Sequence, residues 1–280
     1  MSVESPLVST EWLAGRINAP DVRVADASWY LPQANRDPRA EYAAAHIPRA
    51  VFFDIDDLSD ETSPLPHMLA PATKFASRMR KLGLGDGNLI VVYDSAGVYS
   101  SPRAWWMLRA MGHPDVVVLD GGLPKWRSEG RPVEDMSATP FARHFTARPN
   151  HALVKDFSQM TENLRTNKYQ VIDARGGPRF HATEPEPRAG VRGGHIPHSL
   201  NVPYTELTNP DGTFRSRDDL IKVFAAHHVD LQKPTVTTCG SGITAATEML
   251  ALAIAGAKDV SLYDGSWSEW GASDAPVETG

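Results

Sequence analysis

Short β-branched runs alternate along this chain with longer stretches of helix-forming residues. NLIVVYD (88–94), DVVVLDG (115–121), QVIDA (170–174), TVTTC (235–239) and DVSLYDG (259–265) are short runs rich in β-branched and apolar residues, bounded by polar or turn residues. That is the pattern of strands buried on both faces of a parallel sheet. Between them, SPRAWWMLRAMG (101–112) and ITAATEMLALAIAG (243–256) predict helices that stop at Gly112 and Gly256, where a left-handed residue closes the last turn. Strand and helix in alternation predict an α/β fold: a central parallel sheet flanked by helices, with ligand sites at the carboxyl ends of the strands.

The pattern is written twice. VRVADAS (22–28) resembles YQVIDAR (169–175), AHIPRAV (45–51) resembles GHIPHSL (194–200), and VVVLDGGLPKWRSEGRPVE (116–134) resembles VSLYDGSWSEWGASDAPVE (260–278). The matches keep one order and nearly one spacing, which predicts a tandem duplication. We expect an N-terminal domain at 1–136, a linker at 137–153 and a C-terminal domain at 154–280. Among residues repeated in both halves, His195, Trp126, Trp270, Asp120 and Asp264 are expected to serve packing, while for His46 a structural and a catalytic role both stay open. Trp267 has no tryptophan counterpart in the first half, so a place at the border of a pocket stands as the lesser alternative to packing.

Composition narrows the partners. A formal charge of −6 over 280 residues gives no global attraction for nucleic acid or anionic lipid. No apolar run approaches the roughly 20 residues that span a bilayer, and the first residues carry no signal-peptide or transit pattern. The reading is therefore a cytoplasmic chain that binds neither nucleic acid nor membrane. One cysteine excludes an internal disulfide framework.

That cysteine, Cys239, follows a predicted strand and begins CGSGIT, with Gly240, Ser241, Gly242, Ile243 and Thr244 leading into a helix. Two glycines let successive N–H groups turn toward one point, and the helix N-terminus adds its own donors. Such surroundings favour a thiolate, and equally a thiolate bearing one extra sulfur. Aligning VVYDSAGVYSSPRAWW with VTTCGSGITAATEML places Asp94 opposite Cys239 and Gly97 opposite Gly242. One active and one inactive copy is the simplest reading. A protein tyrosine phosphatase would need an arginine six residues after the cysteine to grip phosphoryl oxygens; Ala245 stands there. A Cys–His hydrolase has ten histidines available, but nothing in the sequence places one beside Cys239.

CGSGITA, GHIP, EPEPRAG and YDGSWSEWG, with ASWYLP, HIPRAVFFDID, TSPLPHML and SPRAWWMLRAMG in the first half, resemble the two-domain rhodanese superfamily, and within it the branch that uses 3-mercaptopyruvate. The resemblance covers nearly the whole chain and implies tandem rhodanese-like domains. It implies a sulfurtransferase that passes the sulfur of 3-mercaptopyruvate through a Cys239 persulfide to a thiol such as thioredoxin, or to cyanide. No metal or organic cofactor is implied, and a monomer suffices. Among Arg175, Arg179, Arg188 and Arg192, it assigns the donor carboxylate to Arg179 and Arg188; the other two are expected as solvated charges. It also implies a relay of Asp37 and His46 toward Ser241. The family commonly has glycine where this chain has His198 and, in the first half, Arg49. Thiosulfate-using members carry two basic residues where Gly240 and Ser241 stand here. A thiosulfate:cyanide sulfurtransferase is the alternative, and a non-catalytic sulfur-carrying module a more distant one.

Overall fold

The computed structural model describes residues 5–136, 138 and 140–280. Ser137 and Thr139, inside the expected linker, and the first four residues of the expected N-terminal domain lie outside the described residues. The chain divides into two units: 1–60, 69–150 and 209–214 form one, and 61–68, 151–208 and 215–280 form the other.

The first unit runs β1 (Leu7–Val8), α1 (Thr10–Ala14), β2 (Val22–Asp26), α2 (Pro38–Ala44), β3 (Val51–Phe52), α3 (Ala72–Lys81), β4 (Leu89–Tyr93), α4 (Ser101–Ala110), β5 (Val116–Leu119) and α5 (Gly122–Ser128). The second repeats it as β6 (Val154–Lys155), α6 (Phe157–Thr166), β7 (Gln170–Asp173), α7 (Gly177–Phe180), β8 (Leu200–Asn201), α8 (Arg217–Ala226), β9 (Thr235–Thr238), α9 (Ile243–Ala255), β10 (Val260–Tyr263) and α10 (Ser266–Trp270). The sheets have the orders β1-β5-β4-β2-β3 and β6-β10-β9-β7-β8, and every pairing is parallel. The orders are the same element for element, so the internal repeat seen in sequence is a repeat of topology.

The five runs expected as strands are β4, β5, β7, β9 and β10, each buried along most of its length. The edge strands β1, β3, β6 and β8 have two residues each, too few to carry a period. Gly112 and Gly256 take φ of +85° and +103° just after α4 and α9. The N–H of the next residue then reaches back to Leu108 and Leu252, respectively, closing both helices alike. Trp126 and Trp270 also match, donating from the ring N–H to the Pro132 and Pro276 carbonyls. These are the packing roles their repetition suggests.

Arg49 and His198 hold φ of +65° and +64°, the region glycine adopts without strain. A carboxylate offsets the strain in each copy: Glu134 accepts from the Arg49 N–H and Glu278 from the His198 N–H.

Candidate active site

The ladder pairs Asp26 with Tyr93 in the first unit and Asp173 with Thr238 in the second. The next residues, Asp94 and Cys239, therefore stand at equivalent strand ends. The shared closure of α4 and α9 sits 144 residues apart, whereas the strand ends sit 145 apart. From strand end to helix stop the first copy thus spans one residue more than the second, and its helix starts later, at Ser101 against Ile243.

Cys239 is the free cysteine of the second unit and is only 2% exposed. Its sulfur receives the N–H of Gly242 at 3.1 Å. Gly242 caps α9 with φ +82°, a conformation that turns this N–H back onto the sulfur and is open to glycine at little cost. Ile243 and Thr244 begin the helix, whose first N–H groups have no intrahelical partner. Ser241 is buried beside them. The loop is fastened from α10: the Cys239 N–H donates to Ser266 Oγ (3.3 Å), the Trp267 N–H to the Cys239 carbonyl, and Ser268 to the Gly240 carbonyl through both its N–H and its hydroxyl. Ser266 holds a left-handed φ of +50° to do this, its hydroxyl donating to the Tyr263 carbonyl. Strain of this kind persists only where surrounding bonds enforce it.

The first unit shows what such a loop holds. One carboxylate oxygen of Asp94 accepts the N–H groups of Tyr99, Ser100 and Ser101 and the Ser101 hydroxyl; the other accepts the Ala96 N–H. The loop built at this strand end is an anion cradle. In the first copy its own side chain fills it; in the second, a sulfur takes that place.

Gly240 carries no positive φ. Its lack of a side chain matters because a Cβ there would lie 3.2 Å from Arg179 Nη2 and 3.7 Å from Arg188 Nη1. Both sequence-assigned arginines thus come to the loop, and both are half-buried. Glu186, which sequence reasoning passed over although it lies in EPEPR, grips Arg179 with both oxygens (2.5 and 3.3 Å). It also takes a bond from Arg175 at 2.7 Å.

Arg175 overturns an expectation. It is not a solvated charge but 2% exposed, forked onto Asp173, bonded to the Gly194 carbonyl, and stacked 4.4 Å from the Trp267 ring centroid. Two buried carboxylates demand a buried cation, and Arg175 is placed to serve both. For Trp267 the packing reading holds: it is 1% exposed, its ring is stacked by Arg175, and its ring N–H donates to the Arg192 carbonyl. Arg192 is exposed as expected, its guanidinium on carbonyls of Trp270, Gly271 and Ala275.

Asp37 caps α2, accepting from the Arg39 and Ala40 N–H groups. His46 is fully buried, stacked on Tyr42 at 4.1 Å with Nδ1 2.7 Å from the Tyr42 carbonyl. His195 repeats the arrangement on Phe180, at 3.7 Å, with Nδ1 2.9 Å from the Phe180 carbonyl. The same geometry in both copies is what a folding role produces. Among the described residues, no group of three or more His, Cys, Asp or Glu could hold a metal ion, and no helix is long and apolar enough to cross a membrane.

A family model described as the rhodanese-like domain matches residues 9–129 and again 156–273. The chain is 44% identical over 270 residues to human 3-mercaptopyruvate sulfurtransferase, covering 94% of this chain and 91% of that protein. To the Escherichia coli K12 protein of the same name it is 44% identical over 273 residues, covering 97% of each. Bovine thiosulfate sulfurtransferase is 42% identical over 280 residues, covering 98% of this chain and 94% of that one. Among solved structures, Saccharomyces cerevisiae Tum1 superposes with a TM-score of 0.91 at 32% identity, covering 99% of both chains. The Escherichia coli 3-mercaptopyruvate enzyme SseA gives 0.87 at 42% identity, covering 94% of this chain and 99% of that one. With one topology built twice and both copies matched, the chain belongs to the rhodanese family.

Proposed function

We propose that the protein is a 3-mercaptopyruvate sulfurtransferase whose sulfur carrier is Cys239. The observation that carries this reading is an uncharged anion cradle at the cysteine with two arginines beside it. Gly242 donates to Sγ, no side chain of the loop bears charge, and Arg179 and Arg188 meet over Gly240. In the proposed chemistry the Cys239 thiolate attacks the donor sulfur. As the S–S bond forms, the C–S bond breaks, and its electron pair leaves as the enolate of pyruvate. The enolate takes up a proton to give pyruvate, and Cys239 is left as a persulfide. A thiol such as thioredoxin, or cyanide, attacks the outer sulfur and restores the thiolate. The charge on sulfur is held by the N–H groups of Gly242, Ile243 and Thr244, as the Asp94 carboxylate is held in the first copy. Arg179 and Arg188 take the donor carboxylate, and the Ser241 hydroxyl faces the departing fragment. Asp37 and His46 stay in the proposed catalytic set, alongside their places in the fold. No metal or organic cofactor enters the scheme. The reading further takes 1–136 as the inactive copy, 154–280 as the catalytic one and 137–153 as the linker, in a cytoplasmic monomer.

Relatives named for 3-mercaptopyruvate and for thiosulfate are nearly equally similar to this chain, at 44% and 42%, so overall identity does not choose the donor. The loop does. Thiosulfate is a compact dianion whose desolvation must be offset by charge close to the attacked sulfur; Gly240 and Ser241 supply none. The test is a side-by-side assay of both donors, with intact mass before and after mercaptopyruvate. One added sulfur, about 32 Da and removable by dithiothreitol, a preference for mercaptopyruvate, and an inactive but folded Cys239→Ser are expected. A preference for thiosulfate, or turnover by the serine variant, overturns the reading.

A further inference from the structure

Arg36 stands between β2 and α2 of the first unit, exposed and yet held by several partners. Its Nε donates to Glu41 Oε1 at 2.7 Å and its Nη2 to Glu41 Oε2 at 2.6 Å. Nη2 also donates to the Ser95 carbonyl at 3.4 Å, and the guanidinium carbon sits 3.8 Å from the Tyr30 ring centroid. Tyr30 in turn donates its hydroxyl to Glu41 Oε2. The second unit repeats the pairing atom for atom. Arg179 gives Nε to Glu186 Oε1 and Nη2 to Glu186 Oε2, and this Nη2 would lie 3.2 Å from a Gly240 Cβ. Ser95 follows Asp94 as Gly240 follows Cys239, so each fork stands at the residue just past the strand end. The two pairs lie at unequal spacings from the matched aspartates Asp26 and Asp173, so aligning the repeats does not reveal them.

The first fork borders a cavity of about 350 Å³, near the small end of the range for ligand sites. Ser95 lines it, which places it at the carboxyl end of β4, the side of a parallel sheet where ligands bind. Its apolar lining is Ala44, Ala45, Leu123 and Pro124. Arg36, Glu41 and Arg127 are its charged residues, and their charges do not cancel. Glu41 offsets Arg36, and the nearby Asp94 carboxylate is met inside its own cradle by backbone N–H groups. Arg127 makes no hydrogen bond or ion pair among the described residues, which leaves one positive charge over. In the second unit Arg188 has the same standing beside the fork of Arg179.

We propose that this cavity is a second anion site, suited to a short monocarboxylate, in the copy that has no cysteine. Arg36 is already fixed by Glu41, Tyr30 and Ser95, so little side-chain freedom is lost on binding. Its Nη1, engaged by none of the described residues, remains to donate. Guanidinium donors match a carboxylate in geometry, and the single charge left over at Arg127 matches a monoanion. The apolar residues of the lining take a short aliphatic body. No sulfur is transferred here: the Asp94 carboxylate fills the place of the thiolate, so the ligand binds and leaves unchanged. The likeness to Arg179 and Arg188 borrows its carboxylate from the proposed function; the cavity, the fixed arginine and the uncompensated one stand without it.

Amide NMR spectra of the full-length protein, titrated with propionate, test the site. Saturable shifts are expected at Ala44, Ala45, Ser95 and Arg127, and none with propionamide, which has the same shape and no charge. Arg127→Gln changes an exposed side chain and leaves the rest of the spectrum in place. It is expected to weaken the response by roughly tenfold or more, the loss of one charge-assisted hydrogen bond, and Arg36→Gln to do likewise. Inorganic sulfate, which has no apolar body, shifts the same amides more weakly. Shifts that never saturate, that propionamide reproduces, or that survive Arg127→Gln overturn the proposal, as does a stronger response to sulfate than to propionate. The amides of residues 240–244 report separately on the cysteine loop. Silence there, with a response in the first unit, removes the carboxylate clamp of the proposed function and leaves this site standing. The reverse overturns this site alone.

Discussion

Replacing Arg179 with lysine keeps the charge and removes the fork. In the structure one edge of this guanidinium is committed to Glu186, through Nη2 at 2.5 Å and Nε at 3.3 Å, while its Nη atoms lie 3.2 and 3.9 Å from where a Gly240 Cβ would be. A lysine offers a single point of charge in place of the fork, so it cannot keep a two-atom grip on Glu186 and also present a paired edge to a donor carboxylate. The loss is one charge-assisted hydrogen bond, about 1.5–3 kcal/mol, or roughly 10- to 150-fold in kcat/KM for mercaptopyruvate. If the carboxylate is held equally in the ground and transition states, the loss falls on KM. Arg175→Lys is the control. It removes the fork onto Asp173 and the bonds to Glu186 and the Gly194 carbonyl at a site 2% exposed. Leaving those carboxylates underpaired costs up to about 3–5 kcal/mol of stability. Steady-state kinetics on each variant, paired with urea unfolding, separate the two effects. Arg179→Lys is expected to lose catalytic efficiency with its unfolding midpoint nearly intact, and Arg175→Lys chiefly stability. Equal kinetic losses per folded molecule would replace the clamp with a diffuse positive field and refute the reasoning.

Asp26, buried at the end of β2, has its carboxyl pushed up to about 6, chiefly by burial and against the pull of its Ser28 bonds. An acid raised in the folded state binds its proton more tightly there, so its contribution is fully present below the unfolded value near 4 and is lost as pH climbs to about 6. Asp26→Asn should therefore abolish that slope in chemical unfolding, with a gain of up to about 3 kcal/mol at neutral pH; a slope unchanged by the substitution would mean that Asp26 is not its source. His198→Gly relieves a left-handed φ of +64° that costs an L-residue roughly 1–2 kcal/mol, against roughly 0.5–1 kcal/mol of added chain entropy. A small rise in thermal midpoint is expected, and a fall would show that the His198 side chain contributes more than its backbone strain removes.

The sequence by itself determined the α/β alternation, the duplication, the central strands, both helix stops and the cysteine loop, because each is carried by a local pattern. Arg179 and Arg188 were legible only through the family motif; geometry then showed why Gly240 must be small, with both guanidinium groups against it. Tertiary structure decided what depends on distant neighbours. The two-residue edge strands exist because a longer strand offers them a ladder, not because of a period of their own. The grouping of 61–68 with the second unit and 209–214 with the first is invisible to any contiguous reading. Arg175 reads as a surface charge until Asp173 and Glu186 are seen around it. Asp94 reads as a lost nucleophile until four backbone N–H groups are found on its carboxylate. Glu248 reads as one polar residue in an apolar helix until burial removes every partner. Charged and polar groups take their roles from what surrounds them in three dimensions, since burial fixes what a charge costs and neighbours fix whether that cost is met.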